Sequence, residues 1–137
     1  AFSQLFADGK RTYIAIGHTT NASPGNSMLT YTGLIPSVDG YLNEEKYTSA
    51  TTECLVVRVN KEAFESALVL TKGALDAIIP NPADRPKVLL AYTLGDNDCM
   101  SFMTSVAKVF AKDGLKVPER GATEMPLKYM RRMIEEN

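Results

Sequence analysis

The pattern of hydrophobic and polar positions along the 137-residue chain predicts strands in its first half and helices in its second. Short apolar runs rich in β-branched and aromatic residues favour strands, and such runs occur at residues 12–18, 28–35 and 53–59. The first two are expected to pair as a hairpin with a long loop. The polar stretch 36–50 predicts irregular structure with a turn at Asp39-Gly40.

Apolar residues at helical spacing predict the first helix directly after Asn60, whose side chain can accept hydrogen bonds from the free amides of the first turn. Gly73 is expected to interrupt or end this helix. Three prolines within residues 80–87 then predict a firm break in regular structure.

Two further helices are expected beyond that break. One begins at Cys99, with Asn97 or Asp98 as its cap, and stops at Gly114. The other lies within residues 124–136 and has a proline in its first turn. Its buried face is expected to consist of apolar residues about one turn apart: Leu127, Met130 and either Met133 or Ile134.

These elements predict an α+β domain that spans residues 1–137, with a small antiparallel sheet packed against two to three helices. Hydrophobic residues make up 45% and charged residues 23%, a composition that can bury one core. The net charge of −1 disfavours nucleic acid as a partner. No apolar run approaches the ~20 residues that cross a bilayer, so no transmembrane segment is expected. The chain begins with Ala1, which is compatible with a mature or trimmed product.

Two cysteines and one histidine are the scarce chemical groups of the chain: Cys54, Cys99 and His18. Together they are too few for a site of four Cys and His ligands, so neither a metal nor another cofactor is expected. Cys54 lies in an apolar run and is interpreted as structural. A disulfide between Cys54 and Cys99 in a secreted protein is an alternative that would remove the thiol chemistry.

Cys99 is the residue best placed for chemistry, because it opens an amphipathic helix. Free amides and the positive end of the helix dipole stabilise a thiolate at this position. The amide of Cys99 can also donate to a developing oxyanion. Asp96 and Asp98 oppose this effect and raise the pKa of the thiol unless they turn outward.

A motif of four residues leads into this helix: Tyr92, Gly95, Asp98 and Cys99. It resembles the nucleophile motif of the NlpC-type cell-wall peptidases of the papain-like superfamily, in which a Tyr and a Gly precede Asp-Cys-Ser-Gly. Met100 stands where those proteins have Ser. The resemblance covers about residues 88–118, including a helix exit of the form Gly–apolar–x–Pro.

The order of His18 and Cys99 along the chain resembles that in the circularly permuted papain-like families, such as the lecithin:retinol acyltransferase-like proteins. The 38 residues after Cys99 contain no histidine, and His18 lies upstream, at the end of a predicted strand. In those families a His-bearing strand comes early and an Asn-Cys or Asp-Cys helix comes late. Their histidine usually sits near the start of that strand.

The resemblance implies a thiol hydrolase that acts by acyl transfer. Cys99 would attack a carbonyl, His18 would take and return the proton, and the Tyr92 hydroxyl would help to hold the oxyanion. A third group from the neighbouring strand region would orient the imidazole, and three residues are candidates: Thr30, Thr32 and Asn26.

The resemblance further implies a peptide or peptidoglycan-like substrate, a secreted or periplasmic bacterial setting, and an effector or toxin that an immunity or regulatory protein could bind. Lipid acyl groups and protein isopeptides are alternative substrates. A non-catalytic binding or regulatory module on the same scaffold is the alternative from another class. In that alternative Cys99 belongs to the core, as buried cysteines often do, and His18 is only structural.

Overall fold

The computed structural model describes residues 2–5, 7–14, 16–44, 55–73 and 90–137. Within these ranges the chain is an α+β protein with a two-stranded hairpin, a three-stranded antiparallel sheet and four helices. The predicted proline-rich break and Cys54 lie outside the described residues. The predicted fold class and the small antiparallel sheet are thereby confirmed.

The five strands form two separate sheets. They are β1 (Phe2–Leu5), β2 (Arg11–Ile14), β3 (Ile16–Thr20), β4 (Val38–Glu44) and β5 (Leu90–Tyr92). β1 and β2 pair as an antiparallel hairpin, and the other three strands pair in the order β3-β4-β5, also antiparallel. β4 is therefore the central strand, and it brings two strands together that are about seventy residues apart in sequence.

The four helices carry most of the buried core. They are α1 (Pro24–Tyr31), α2 (Lys61–Leu68), α3 (Cys99–Ala107) and α4 (Pro126–Glu136). α2 continues as a π-helical turn over Val69–Gly73, and α3 continues as a 3₁₀ helix over Lys108–Asp113. One cluster of buried side chains joins α3 to α4: Met100, Ala107, Leu115, Tyr129 and Met133. This packing fixes α3, the helix that begins at Cys99.

The segment 28–35, predicted as a strand, forms the second half of helix α1 and the turn after it instead. Ser23 caps the helix by accepting from the amide of Asn26, and Pro24 occupies the first turn, where its missing N–H costs nothing. The hydroxyl of Thr30 donates to the carbonyl of Ser27 within the helix. These local bonds outweigh the strand propensity of the segment, so the predicted hairpin between 12–18 and 28–35 is wrong.

Two other predictions are also wrong, one of irregular structure and one of a strand. The polar stretch predicted as irregular contains β4, whose buried positions are Gly40 and Leu42. Because one of these two buried positions is a glycine, which has no side chain, the alternation of apolar residues is weak in the sequence. Residues 55–60 belong to no strand, and Val56 there is 83% exposed. Their apolar character therefore does not reflect burial in a sheet.

The helix boundaries follow the capping signals of the sequence closely. Asn60 accepts from the amide of Ala63 at the start of α2, and Asp98 caps α3. Gly114 ends the 3₁₀ extension in a left-handed conformation, with φ of 93°. In α4 the expected burial of Leu127 is wrong, since this residue is 45% exposed and Tyr129 is the fully buried side chain.

Candidate active site

The structure brings together the three residues that the sequence singles out. His18 lies in the middle of β3, not at a strand end, and Tyr92 is the last residue of β5. The ring centroids of His18 and Tyr92 are 5.2 Å apart with an interplanar angle of 65°. The Tyr92 hydroxyl donates a long hydrogen bond to the Cys99 sulfur, at 4.0 Å. Tyr92 therefore contacts both the imidazole and the thiol.

Cys99 presents a free and exposed thiol at the first position of α3. The interpretation of Cys99 as a core cysteine is therefore wrong. The apolar side chains beside it on the helix, such as Met100, take the buried positions. Cys54, the partner in the alternative disulfide, lies outside the described residues.

His18 is 3% exposed and packs edge-on against two aromatic rings. The second ring is that of Phe102, one turn into α3, with a centroid distance of 6.4 Å. Burial lowers the pKa of His18, while a hydrogen bond to the Asp98 backbone carbonyl and the charge of Asp98 act in the opposite direction. The net effect is a pKa below the ordinary value, so the imidazole is neutral at neutral pH.

The Nε2 atom of His18 is buried and has no hydrogen-bond partner among the described residues. In a neutral imidazole one ring nitrogen donates and the other accepts. In the tautomer that carries its proton on Nδ1, Nε2 is the acceptor. An unpartnered acceptor is the state required of a general base.

Asp98 is 1% exposed and its carboxylate is surrounded by donors. It accepts from the amides of Gly95 at 2.8 Å and of Met100 and Ser101 at 3.0 Å each. Nη1 of Arg120 lies 2.9 Å from one carboxylate oxygen and 2.8 Å from the other. Burial by itself raises the pKa of Asp98, but these amides and Arg120 together hold it below its ordinary value.

Of the two acidic residues beside the thiol, one turns outward and the other does not. Asp96 is exposed, whereas Asp98 turns inward and forms an ion pair with Arg120. The charge of Asp98 is therefore paired with that of Arg120 inside the protein. No sequence motif indicated Arg120, which lies 22 residues from Asp98.

Two of the three candidates for orienting His18 use their hydroxyls elsewhere. Thr30 uses its hydroxyl to donate to Ser27 and to accept from the amide of Leu94. The hydroxyl of Thr32 donates to the carbonyl of Leu29. The third candidate, Asn26, lies in the first turn of α1.

The turn before α3 is docked onto α1. Gly95 has a φ of 93°, and a Cβ at this position would lie 2.9 Å from Cδ2 of Tyr31. The hydroxyl of Tyr31 donates in turn to the carbonyl of Ala122, at 3.2 Å. The turn that presents Asp98 and Cys99 is therefore held from both sides, by its own bonds and by α1.

A cavity of about 500 Å³ opens where β3 ends and β4 begins. Its lining is mostly polar: Asn21, Ala22, Asn26, Ser37, Val38, Asp39 and Tyr41. Val38 is the strand partner of Tyr92, so the cavity adjoins the strand pair that carries Tyr92. None of the three candidate catalytic side chains lines it.

The described ranges contain no group of three or more His, Cys, Asp or Glu residues arranged to hold a metal ion. Within the same ranges, none of the helices is long and apolar enough to cross a membrane. No family model matches the chain, and no curated protein and no solved structure matches it. The geometry around Cys99 is therefore the basis for proposing a function.

Proposed function

We propose that the chain is a thiol-dependent hydrolase of a permuted papain-like type, an amidase or endopeptidase. One observation carries the proposal: Tyr92 contacts both the buried imidazole of His18 and the exposed thiol of Cys99. The histidine comes from an early strand and the cysteine from the start of a later helix, which is the order that the resemblance implies.

The proposed reaction proceeds in two halves through a thioester. The Cys99 sulfur attacks the amide carbonyl while Nε2 of His18 accepts the thiol proton. The C–N bond then breaks and His18 returns the proton to the leaving amine. In the second half water attacks the thioester, His18 takes a proton from it, and the acid and the free thiol are released.

Two donors are positioned for the negative charge that develops on the carbonyl oxygen. The Asp98 carboxylate occupies the amides of Met100 and Ser101 but not that of Cys99. The Cys99 amide points toward the N-terminal end of α3 and can serve an oxyanion. The hydroxyl of Tyr92 is the second donor. Burial, the nearby thiol and Asp98 raise the pKa of Tyr92 to about 12, so its proton is retained.

The proposed substrate class is bacterial cell-wall peptide, in an exported effector or cell-wall enzyme. This part of the proposal is supported by the resemblance of the Tyr92–Cys99 motif to the NlpC-type peptidases. A lipid acyl group or a protein isopeptide would react by the same chemistry at the same sulfur. The identity of the released amine or alcohol distinguishes these substrates.

The test is the rate of Cys99 alkylation by iodoacetamide as a function of pH. A Cys54→Ser background leaves Cys99 as the chain's single thiol, since the sequence has two cysteines. We expect fast alkylation at neutral pH that slows as His18 becomes protonated, and we expect His18→Ala to remove this advantage. Cys99→Ser in the same background measures how much iodoacetamide reacts with groups other than the Cys99 thiol.

A non-catalytic binding module is the second candidate, and the deep burial of His18 favours it, because a buried histidine is often structural. The same assay separates the two candidates. In a binding module Cys99 alkylates like an ordinary free thiol, for which the pKa is about 8.5, with or without His18. That result would end the hydrolase proposal. If the dyad is found, cell-wall peptides are assayed for the release of a new amine.

A further inference from the structure

Arg120 lies outside every motif of the sequence, yet it reaches the centre of the candidate site. It belongs to the irregular segment between the 3₁₀ extension of α3 and helix α4. Its side chain is 19% exposed and its Nη1 contacts both carboxylate oxygens of Asp98. Its Nε is buried with no partner among the described residues. The guanidinium is therefore committed to one carboxylate.

The segment that carries Arg120 is itself fixed by α4. The hydroxyl of the buried Tyr129 donates to the carbonyl of Pro118, at 2.8 Å. Nη2 of Arg132 donates to the carbonyl of Glu119, at 2.7 Å. The two residues before Arg120 are thus anchored to the helix, and the arginine is held in place from its own backbone.

Asp98 links Arg120 to both chemical groups of the site. Its carboxylate caps α3, which begins at Cys99, and its charge and backbone carbonyl both act on the pKa of His18. The ring of Phe102, in the first turn of the same helix, packs edge-on against His18. A shift of the carboxylate would therefore move the first turn of the helix and the groups beside the imidazole.

We propose that Arg120 is a positioning residue for the thiol centre, acting through Asp98. By pairing with the carboxylate that caps α3, it fixes the first turn of the helix beside His18 and balances the negative charge near the imidazole. The proposal rests on the proposed function, in which His18 must be neutral to accept the thiol proton.

The charges of Arg120 and Asp98 determine the direction in which each substitution shifts the pKa of His18. Among the described residues, the titratable groups that face His18 are Tyr92 from β5 and Asp98 from α3, with Cys99 beyond Tyr92 and Arg120 behind Asp98. Arg120→Gln leaves the carboxylate unbalanced, which favours the imidazolium and raises the pKa of His18. Asp98→Asn removes the negative charge and lowers the pKa of His18.

The chain has a single histidine, so its imidazole signals in a proton NMR titration report His18 without assignment. The midpoint is expected to move up in Arg120→Gln, down in Asp98→Asn, and back toward the parent value in Arg120→Lys. Alkylation of Cys99 just below neutral pH should fall about five- to tenfold in Arg120→Gln.

The matched control is Arg58→Gln, which removes one positive charge from an exposed arginine in the irregular segment before α2. Arg58 takes no part in holding Asp98 or the segment that carries Arg120. We expect this variant to leave the His18 midpoint and the Cys99 rate unchanged.

The proposal is overturned if Arg120→Gln, like the control, changes neither the NMR midpoint of His18 nor the alkylation rate of Cys99. It is also overturned if Arg120→Gln and Asp98→Asn move the midpoint in the same direction, because both break one ion pair and only the charge differs. If Arg120→Gln does not fold, Arg120→Lys and Asp98→Asn decide by the same criteria.

Failure of the proposed function would look different. In that case His18→Ala would leave Cys99 alkylation unchanged in the parent protein. The NMR midpoints would still show whether Arg120 controls the protonation of His18.

Discussion

Substituting Gly95 by alanine tests whether the turn before Cys99 is held against α1 as the structure shows. Gly95 has a φ of 93°, in the left-handed region that residues with a Cβ rarely adopt. A Cβ there would lie 2.9 Å from Cδ2 and 3.1 Å from Cε2 of Tyr31. Ordinary carbon contacts lie at about 3.5–4.0 Å. Both the backbone and the ring therefore oppose the added methyl group.

The cost can be estimated from these two effects. The left-handed backbone costs an alanine about 1–2 kcal/mol. Overpacking against an aromatic ring adds about 1–3 kcal/mol. The ring has little freedom to move away, because its hydroxyl donates to the carbonyl of Ala122. Together, Gly95→Ala is expected to lower the free energy of unfolding by about 2–5 kcal/mol, a large share of the stability of a small domain.

Gly114→Ala separates the two effects, since Gly114 has the same φ of 93° and no described atom lies within 4 Å of its added Cβ. Urea denaturation should show about 1–2 kcal/mol for this control. In a Tyr31→Ala background, the cost of Gly95→Ala should fall to the value of the control. If Gly95→Ala costs no more than Gly114→Ala, or if removing the Tyr31 ring changes nothing, the described docking of the turn is wrong.

Three further outcomes follow from single contacts. Asn60→Ala removes the cap of α2 and should cost about 1 kcal/mol in urea denaturation relative to Asn60→Ser, which keeps the cap and likewise lacks the bond from the Asn60 amide to Asp113. The bond from Arg132 is the main cause that lowers the pKa of Glu124 to about 2, so its stabilising effect is full above the ordinary value of 4.5 and is lost as the pH falls toward 2. Glu124→Gln should therefore flatten acid unfolding in that range, and an unchanged profile would contradict the ion pair. Tyr92→Phe should slow peptide hydrolysis roughly a hundredfold through loss of an oxyanion donor but leave Cys99 alkylation nearly unchanged; equal losses in both would refute that role.

The helices could be predicted from the sequence because their ends are determined locally. Asn60 and Asp98 satisfy amides within three residues of themselves, and Gly114 needs only its own backbone freedom. The strands could not be predicted in this way, because their pairing depends on residues distant in sequence. The sequence of β4 is largely polar, and its central position follows only from its pairing with β3 on one side and β5 on the other.

The candidate site likewise contains residues that could be predicted from the sequence and one contact that could not. Cys99 and its capping residue follow from the start of an amphipathic helix, and His18 and Tyr92 follow from residue type and the resemblance. The pairing of Arg120 with Asp98 joins residues 22 positions apart across an irregular segment. No periodicity or spacing encodes such a contact, so the role of the carboxylate in the site had to come from the fold.

A carboxylate at a helix cap and a nucleophile at the first helical position normally compete for the same positive end of the helix dipole. Here the carboxylate of Asp98 takes the amides of Met100 and Ser101, while Arg120 supplies the balancing charge from outside the helix. The pair as a whole is neutral, so the cap stabilises the helix without opposing a negative sulfur or oxyanion beside it. In the proposed reaction, the Cys99 amide then serves the oxyanion. We therefore expect an acid directly before the thiol to be compatible with the proposed hydrolase activity only while Arg120 remains in place.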